Sequence, residues 1–249
     1  MKLKTGMQAP DFTAPCHLGK DVTLSLLRGK TVVIAFYPAA WTPVCTGQIP
    51  SYEALHDTFA KLDVQVLGIS TDHVPCLRAW AESLGGINYP LVSDFWPHGA
   101  IAEKFGVFKD DGQSERAVFI IDKDGILRYI DVHDIHEQPN NEVLLAELKK
   151  IIPDAEEKLK HLYHEDEDLP SGGVVIYCTP WCPSCREARV WLKDNNVPFK
   201  EVDISTNLTA ARQVRSWGNG YQITPTFDID GQVVLDFDEN KLSELILNK

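Results

Sequence analysis

Cysteines stand at positions 16, 45, 76, 178, 182 and 185, and two of their settings suit sulfur redox chemistry. Cys182-Pro183-Ser184-Cys185 lies where a predicted strand hands over to a predicted helix. Cys182 falls at or before the helix N-terminus, where unpaired backbone N–H groups favour a thiolate. Cys185 follows about one turn later, near enough to close a disulfide with it. Pro183 suits the first helical position, where its missing N–H does no harm. A thiolate so placed is both nucleophile and leaving group, as thiol–disulfide exchange requires. Half a zinc site is the other reading, with Cys178 as a third sulfur. A tetrahedral site would then lack its fourth ligand, and the usual second Cys pair is missing. Cys178 ends the predicted strand and also reads as a simply buried side chain.

Cys45 has a different neighbourhood, Pro38-Ala39-Ala40-Trp41-Thr42-Pro43-Val44-Cys45. The loop leads from a strand into a helix whose N-terminal dipole favours a thiolate at Cys45. Thr42 offers a hydroxyl donor, Pro38 can shield the sulfur from water, and Arg116 can complete the pocket with a cation. By position alone an inert, buried cysteine is an equal alternative.

These residues need elements to hold them. Thr31 to Tyr37 is an apolar, β-branched run that suits a buried strand, and Cys45 to Leu62 carries Leu55, Phe59 and Leu62 at helical spacing. Val64 to Ile69 reads as a strand and Pro75 to Leu84 as a helix ended by Gly85-Gly86. Arg116 to Ile121 and Ile126 to Val132 form a hairpin about Asp124-Gly125, and Asn141 to Ile152 a helix. The acidic run Glu165-Asp166-Glu167-Asp168, within a Pro- and Gly-containing stretch, favours an extended linker over 161–172. A second block follows: strands at Gly173–Cys178 and Phe199–Ile204, helices at Pro183–Asp194 and Leu208–Trp217, a hairpin of Thr226–Ile229 with Val233–Phe237, and a closing helix at Glu239–Leu247. The expected architecture is α/β: two thioredoxin-fold domains, 1–160 and 173–249, joined by an acidic linker.

The second block resembles the glutaredoxin family, mycoredoxin-like members included, through Tyr177 to Cys185 and Thr224-Pro225. The resemblance implies a dithiol at Cys182 and Cys185, a cis peptide bond before Pro225 beside it, and a partner surface formed by Trp181, Thr224 and Pro225. Two departures bear on glutathione as partner: Val233-Val234-Leu235-Asp236 replaces a Gly-Gly-x-Asp-like turn, and Ser184 replaces the usual aromatic. The first block resembles the peroxiredoxin family through Pro-x-x-x-Thr-x-x-Cys, carried by Pro38, Thr42 and Cys45. Ala9 to Phe12, Gly68 to Asp72, Pro90 to Asp94 and Arg116 to Asp122 support it. The resemblance implies Cys45 as peroxidatic nucleophile, Thr42 and the Cys45 N–H as peroxide holders, Arg116 as the cation, and Pro38 packed over the site. Gln48 stands where many relatives carry Glu, and Pro50 where a common subclass places its resolving cysteine. Cys76 remains a candidate resolving thiol or a quiet helix cysteine; Cys16 has no assigned role.

The reading is then a thiol-dependent peroxidase acting on hydrogen peroxide or organic hydroperoxides, regenerated by the fused dithiol. A redox sensor or a general thiol–disulfide oxidoreductase is the alternative. No cofactor or metal is expected, including at His133 and His136; the co-substrate is a thiol reductant such as glutathione or a thioredoxin-type donor. The net charge of −12 argues against nucleic acid or anionic lipid as partner. No apolar run of about 18 residues or more predicts a membrane span. The N-terminus lacks a secretory pattern, which makes a cytoplasmic address the expectation. The family resemblance implies a homodimer or higher homo-oligomer.

Overall fold

The computed structural model of the chain describes residues 3–160 and 168–247. It divides into two units, Met1–Tyr163 and His164–Lys249. Residues 161–167 of the expected linker, with His161, His164 and Glu165 to Glu167, lie outside the described residues.

In the first unit the central strand is β3 (Thr31–Phe36), after a small hairpin of β1 (Thr13–Pro15) and β2 (Asp21–Thr23). The sheet runs in the order β5-β4-β3-β6-β7, with β4 (Val64–Ser70), β5 (Leu91–Ser93), β6 (Arg116–Ile121) and β7 (Leu127–His133). β3, β4 and β5 are parallel; β6 and β7 are antiparallel to their neighbours. Every residue of β3 is buried, so its apolar run is continuous rather than alternating. Side chains still alternate between faces. Val33, Ala35 and Tyr37 join one core cluster, with Cys45, Ile49 and Tyr52; Val32, Ile34 and Phe36 join the other, with Phe105 and Phe119.

That parity positions the cation. Val118 and Ile120 of β6 face the cluster that holds Cys45, and Ala117, Phe119 and Ile121 face the opposite one. Arg116 shares parity with Val118 and Ile120, so it projects to the Cys45 side. The helix carrying Cys45 is shorter than the sequence pattern predicts. α1 (Pro43–Ala54) and α2 (His56–Lys61) meet at Leu55, which leaves helical geometry at φ −97° and ψ 14°. Pro50 lies within α1 and removes one rung of the ladder about a turn before the break. α3 (Val74–Ser83), α4 (Ala100–Phe105), α5 (Asn141–Ile151) and α6 (Ala155–Leu159) complete the unit.

In the second unit the order is β11-β10-β8-β9, with β8 (Val174–Cys178), β9 (Phe199–Asp203), β10 (Thr226–Ile229) and β11 (Gln232–Leu235). α7 (Pro183–Asp194) and α9 (Glu239–Ile246) supply side chains to one face, and α8 (Leu208–Trp217) to the other. α7 turns Cys185, Ala188 and Leu192 inward at helical spacing. Val174, Ile176 and Cys178 of β8 meet that face; Val175 and Tyr177 meet the α8 face.

Candidate active site

Cys45 occupies the first turn of α1, behind Thr42 as the N-cap and Pro43 at the first helical position. Its N–H precedes the first intrahelical bond, which runs from the Thr46 N–H to the Thr42 carbonyl at 2.9 Å. The Cys45 side chain is fully buried, yet it is not surrounded by carbon alone. Arg116, only 2% exposed, directs Nη1 and Nη2 at its Sγ from 3.5 and 3.6 Å.

The guanidinium is held in one orientation. Its Nε and Nη2 donate to the Ile135 carbonyl at 3.1 and 2.8 Å, and Nη1 donates to Gln48 Oε1. Together with the two bonds to sulfur, these contacts use all of its N–H groups. Gln48 is itself oriented by Tyr52, whose hydroxyl accepts from Gln48 Nε2 at 3.2 Å. Burial pushes the Tyr52 phenol up to about 12 and the Tyr37 phenol well above its ordinary range, so both stay neutral. Among the described residues no carboxylate lies within ion-pair distance of Arg116. Its described partners are the Ile135 carbonyl, Gln48 Oε1 and the Cys45 sulfur.

Asp72 fixes the preceding loop. Its Oδ2 accepts from the Ala40 N–H and the Ser70 hydroxyl, both at 2.8 Å. Pro38 is buried at the end of β3, and Thr42 is half-buried with its hydroxyl donating to the Ala39 carbonyl at 2.9 Å. Cys76, in the first turn of α3, hydrogen-bonds to Asp72 Oδ1 at 3.8 Å. Burial and then the Asp72 charge push its thiol up.

In the second unit Cys182 is the N-cap of α7, and its Sγ accepts from the Cys185 N–H at 3.2 Å. The same sulfur donates to the Thr224 carbonyl at 3.4 Å. The Thr224-Pro225 bond is cis, and Trp181 is half-buried beside Cys182 in sequence. The dipole argument alone predicts a thiolate at Cys182, but the structure opposes that direction. A hydrogen bond with the Cys185 thiol, then burial, pushes Cys182 up; Cys185 rises to about 12 through the Cys178 thiol and burial. Alkylation of Cys182 is therefore expected to keep accelerating from pH 7 to pH 9, by about tenfold per pH unit. A plateau already reached at pH 7 in an iodoacetamide profile would contradict this.

Sequence reasoning marked Gln48 as the residue in place of an Arg-oriented Glu, and the structure gives it that contact with Arg116; it missed Asp72 as an orienting group and Ile135 as the anchor of the guanidinium. The His133-Asp134-Ile135-His136 segment, weighed only for metal, contributes a backbone carbonyl. His133 pairs with Asp131 at 3.0 Å.

Residues 5–130 match the family model described as the AhpC/TSA family. The chain belongs to the AhpC/TSA family. Residues 174–234 match the glutaredoxin model, so a peroxiredoxin domain is fused to a glutaredoxin domain. Alkyl hydroperoxide reductase E of Mycobacterium tuberculosis is 37% identical over 132 residues, covering 52% of this chain and 86% of that protein. Peroxiredoxin-1 of Gallus gallus is 42% identical over 141 residues, covering 52% and 70%. The crystal structure of peroxidoxin BcpB from Mycobacterium tuberculosis superposes with a TM-score of 0.54 at 32% identity, covering 61% of this chain and 99% of that one. The AhpC/TSA chain is thus a thiol-dependent peroxidase with a fused glutaredoxin reductant, built from two thioredoxin-type α/β domains. Both families draw electrons from thiols. Among the described residues no helix is long and apolar enough to cross a membrane.

Proposed function

We propose that Cys45 is the peroxidatic sulfur and that Cys182 and Cys185 return it to the thiol state. The Cys45 thiolate attacks one peroxide oxygen; the O–O bond breaks, sulfur loses two electrons and becomes a sulfenic acid, and the departing oxygen leaves as water or alcohol once protonated. The Arg116 guanidinium faces the sulfur on which charge changes. Thr42 and the Cys45 N–H hold the peroxide in this reading, which requires the Thr42 hydroxyl to turn from the Ala39 carbonyl. Pro38, buried beside the loop, limits water at the site.

Cys182 then condenses with the sulfenic acid, releasing water and forming a mixed disulfide, either directly or through a small-thiol adduct. Cys185 attacks Cys182, freeing Cys45 and leaving the Cys182–Cys185 disulfide for an external thiol such as glutathione or a thioredoxin-type donor. Trp181, Thr224 and Pro225 form the surface that receives the partner sulfur. Cys76 is the reserve resolving thiol; the rise in its proton affinity counts against it as an attacking group. The boundaries 1–160, 161–172 and 173–249, a cytoplasmic location and a homodimer or higher homo-oligomer complete the reading.

The observation that carries the proposal is the guanidinium on the Cys45 sulfur. Treatment with one equivalent of hydrogen peroxide in the presence of dimedone is expected to place the adduct on the peptide containing Cys45. An adduct confined to Cys76, or to no cysteine of the first unit, would reject the assignment.

A further inference from the structure

The dithiol has a third member in the fold. On β8, Val174, Ile176 and Cys178 project to the α7 face, and Cys182 and Cys185 enter the same core cluster from α7. Strand parity therefore aims Cys178 at the dithiol rather than at α8. Cys178, Cys182 and Cys185 share one packed cluster, and the Cys185 N–H donates to Cys182 Sγ at 3.2 Å. The Cys178 thiol raises the proton affinity of Cys185, as the Cys185 thiol raises that of Cys182. Cys178 and Cys185 are fully buried, while Cys182, at 8% exposure, is the most accessible of the three.

We propose that Cys178 is an exchanging thiol that converts the Cys182–Cys185 disulfide into a buried Cys178–Cys185 disulfide. The Cys178 sulfur attacks Cys185 Sγ, the Cys182–Cys185 bond breaks, and the proton lost by Cys178 ends on the Cys182 sulfur. One S–S bond forms as one breaks, so no external oxidant or reductant is consumed. The glutaredoxin domain then stores its oxidising equivalent inside and presents Cys182 again as a free thiol. That thiol can engage a second sulfenic acid or disulfide before the stored bond is reduced.

The step depends only on these three cysteines, so it is separable from the relay to Cys45. Diamide, a thiol oxidant that needs no peroxidatic cysteine, is applied to the full chain carrying Cys182→Ser. Denaturing alkylation and peptide mass analysis are expected to show loss of both alkylatable thiols at 178 and 185 and a peptide lighter by two hydrogens. In the unsubstituted chain oxidised the same way, fragmentation is expected to find a population with Cys182 alkylated and Cys178 joined to Cys185. Cys178→Ala is expected to abolish that population while the Cys182–Cys185 disulfide still forms. Full alkylation of Cys178 and Cys185 in the oxidised Cys182→Ser chain would overturn the proposal. So would finding only the Cys182–Cys185 bond in the unsubstituted chain, a result that does not rely on a variant folding.

Discussion

Arg116→Met is expected to slow peroxide-driven oxidation of Cys45 by about 10²- to 10³-fold, the usual cost of losing a preorganised donor at a developing charge. Two guanidinium nitrogens lie within 3.6 Å of the Cys45 sulfur, and the other contacts of the group fix its direction. Methionine fills similar volume without charge or donor. The change also leaves Gln48 Oε1 and the Ile135 carbonyl without their donor, and removing one partner from a buried charged cluster costs about 3–5 kcal/mol of stability. Thermal unfolding measured beside the rate separates chemistry from stability. Arg116→Lys should recover little. A single ammonium cannot reach the Ile135 carbonyl, Gln48 Oε1 and the sulfur with the planar fork that the site is built around. Stopped-flow oxidation of the Met variant within about threefold of the parent rate would remove Arg116 from the chemistry, since so small a factor falls far below the expected loss.

The sequence was most readable where side chains act through their own chemistry. The peroxiredoxin resemblance grouped Thr42, Pro38 and Arg116 with Cys45, and the structure brings the Arg116 guanidinium to that sulfur. The elements around them were readable for the same kind of reason: α7 and α8 begin and end where their periodicity places them. Short pieces escaped. β5 has only three residues, and α4 is a six-residue helix between Gly99 and Gly106, too short for a period to declare itself. Gly99 needs to be glycine, since φ is +72° and a Cβ there would meet the Phe108 ring.

Other features were hidden because they belong to no single residue type. Ile135 acts through its carbonyl, and an apolar side chain gives no hint of that. Gln48 is visible as a departure from Glu, but its role comes from the absence of a nearby carboxylate, which is a tertiary fact. The Cys182 thiol shows how a local argument can lose to its surroundings. The helix N-terminus favours ionisation, while the Cys185 thiol and burial oppose it more strongly. Cys178 was readable as a strand-end residue; its meaning needed the parity of β8 against the faces of α7 and α8.

Cys182→Ser is expected to leave the first oxidation of Cys45 at the parent rate and to reduce sustained turnover by about 10²- to 10³-fold at micromolar protein. A tethered reductant acts at an effective concentration of about a millimolar, and a free one at the same dilution does not. The contrast between one turnover and many is the informative quantity. The Cys182 sulfur lies in a different compact unit from Cys45. Mixing the Cys182→Ser chain with a Cys45→Ser chain tests the relay further. If transfer occurs within one chain, the mixture regains turnover only in proportion to the product of the two concentrations. If it occurs between subunits of an oligomer, activity returns at the rate of subunit exchange and then becomes independent of dilution. Sustained peroxide consumption by Cys182→Ser at the parent rate, with the same donor, would show that Cys45 is resolved without the glutaredoxin domain. Cys76 would then be the first thiol to examine, and Cys76→Ser in that background should stop the reaction.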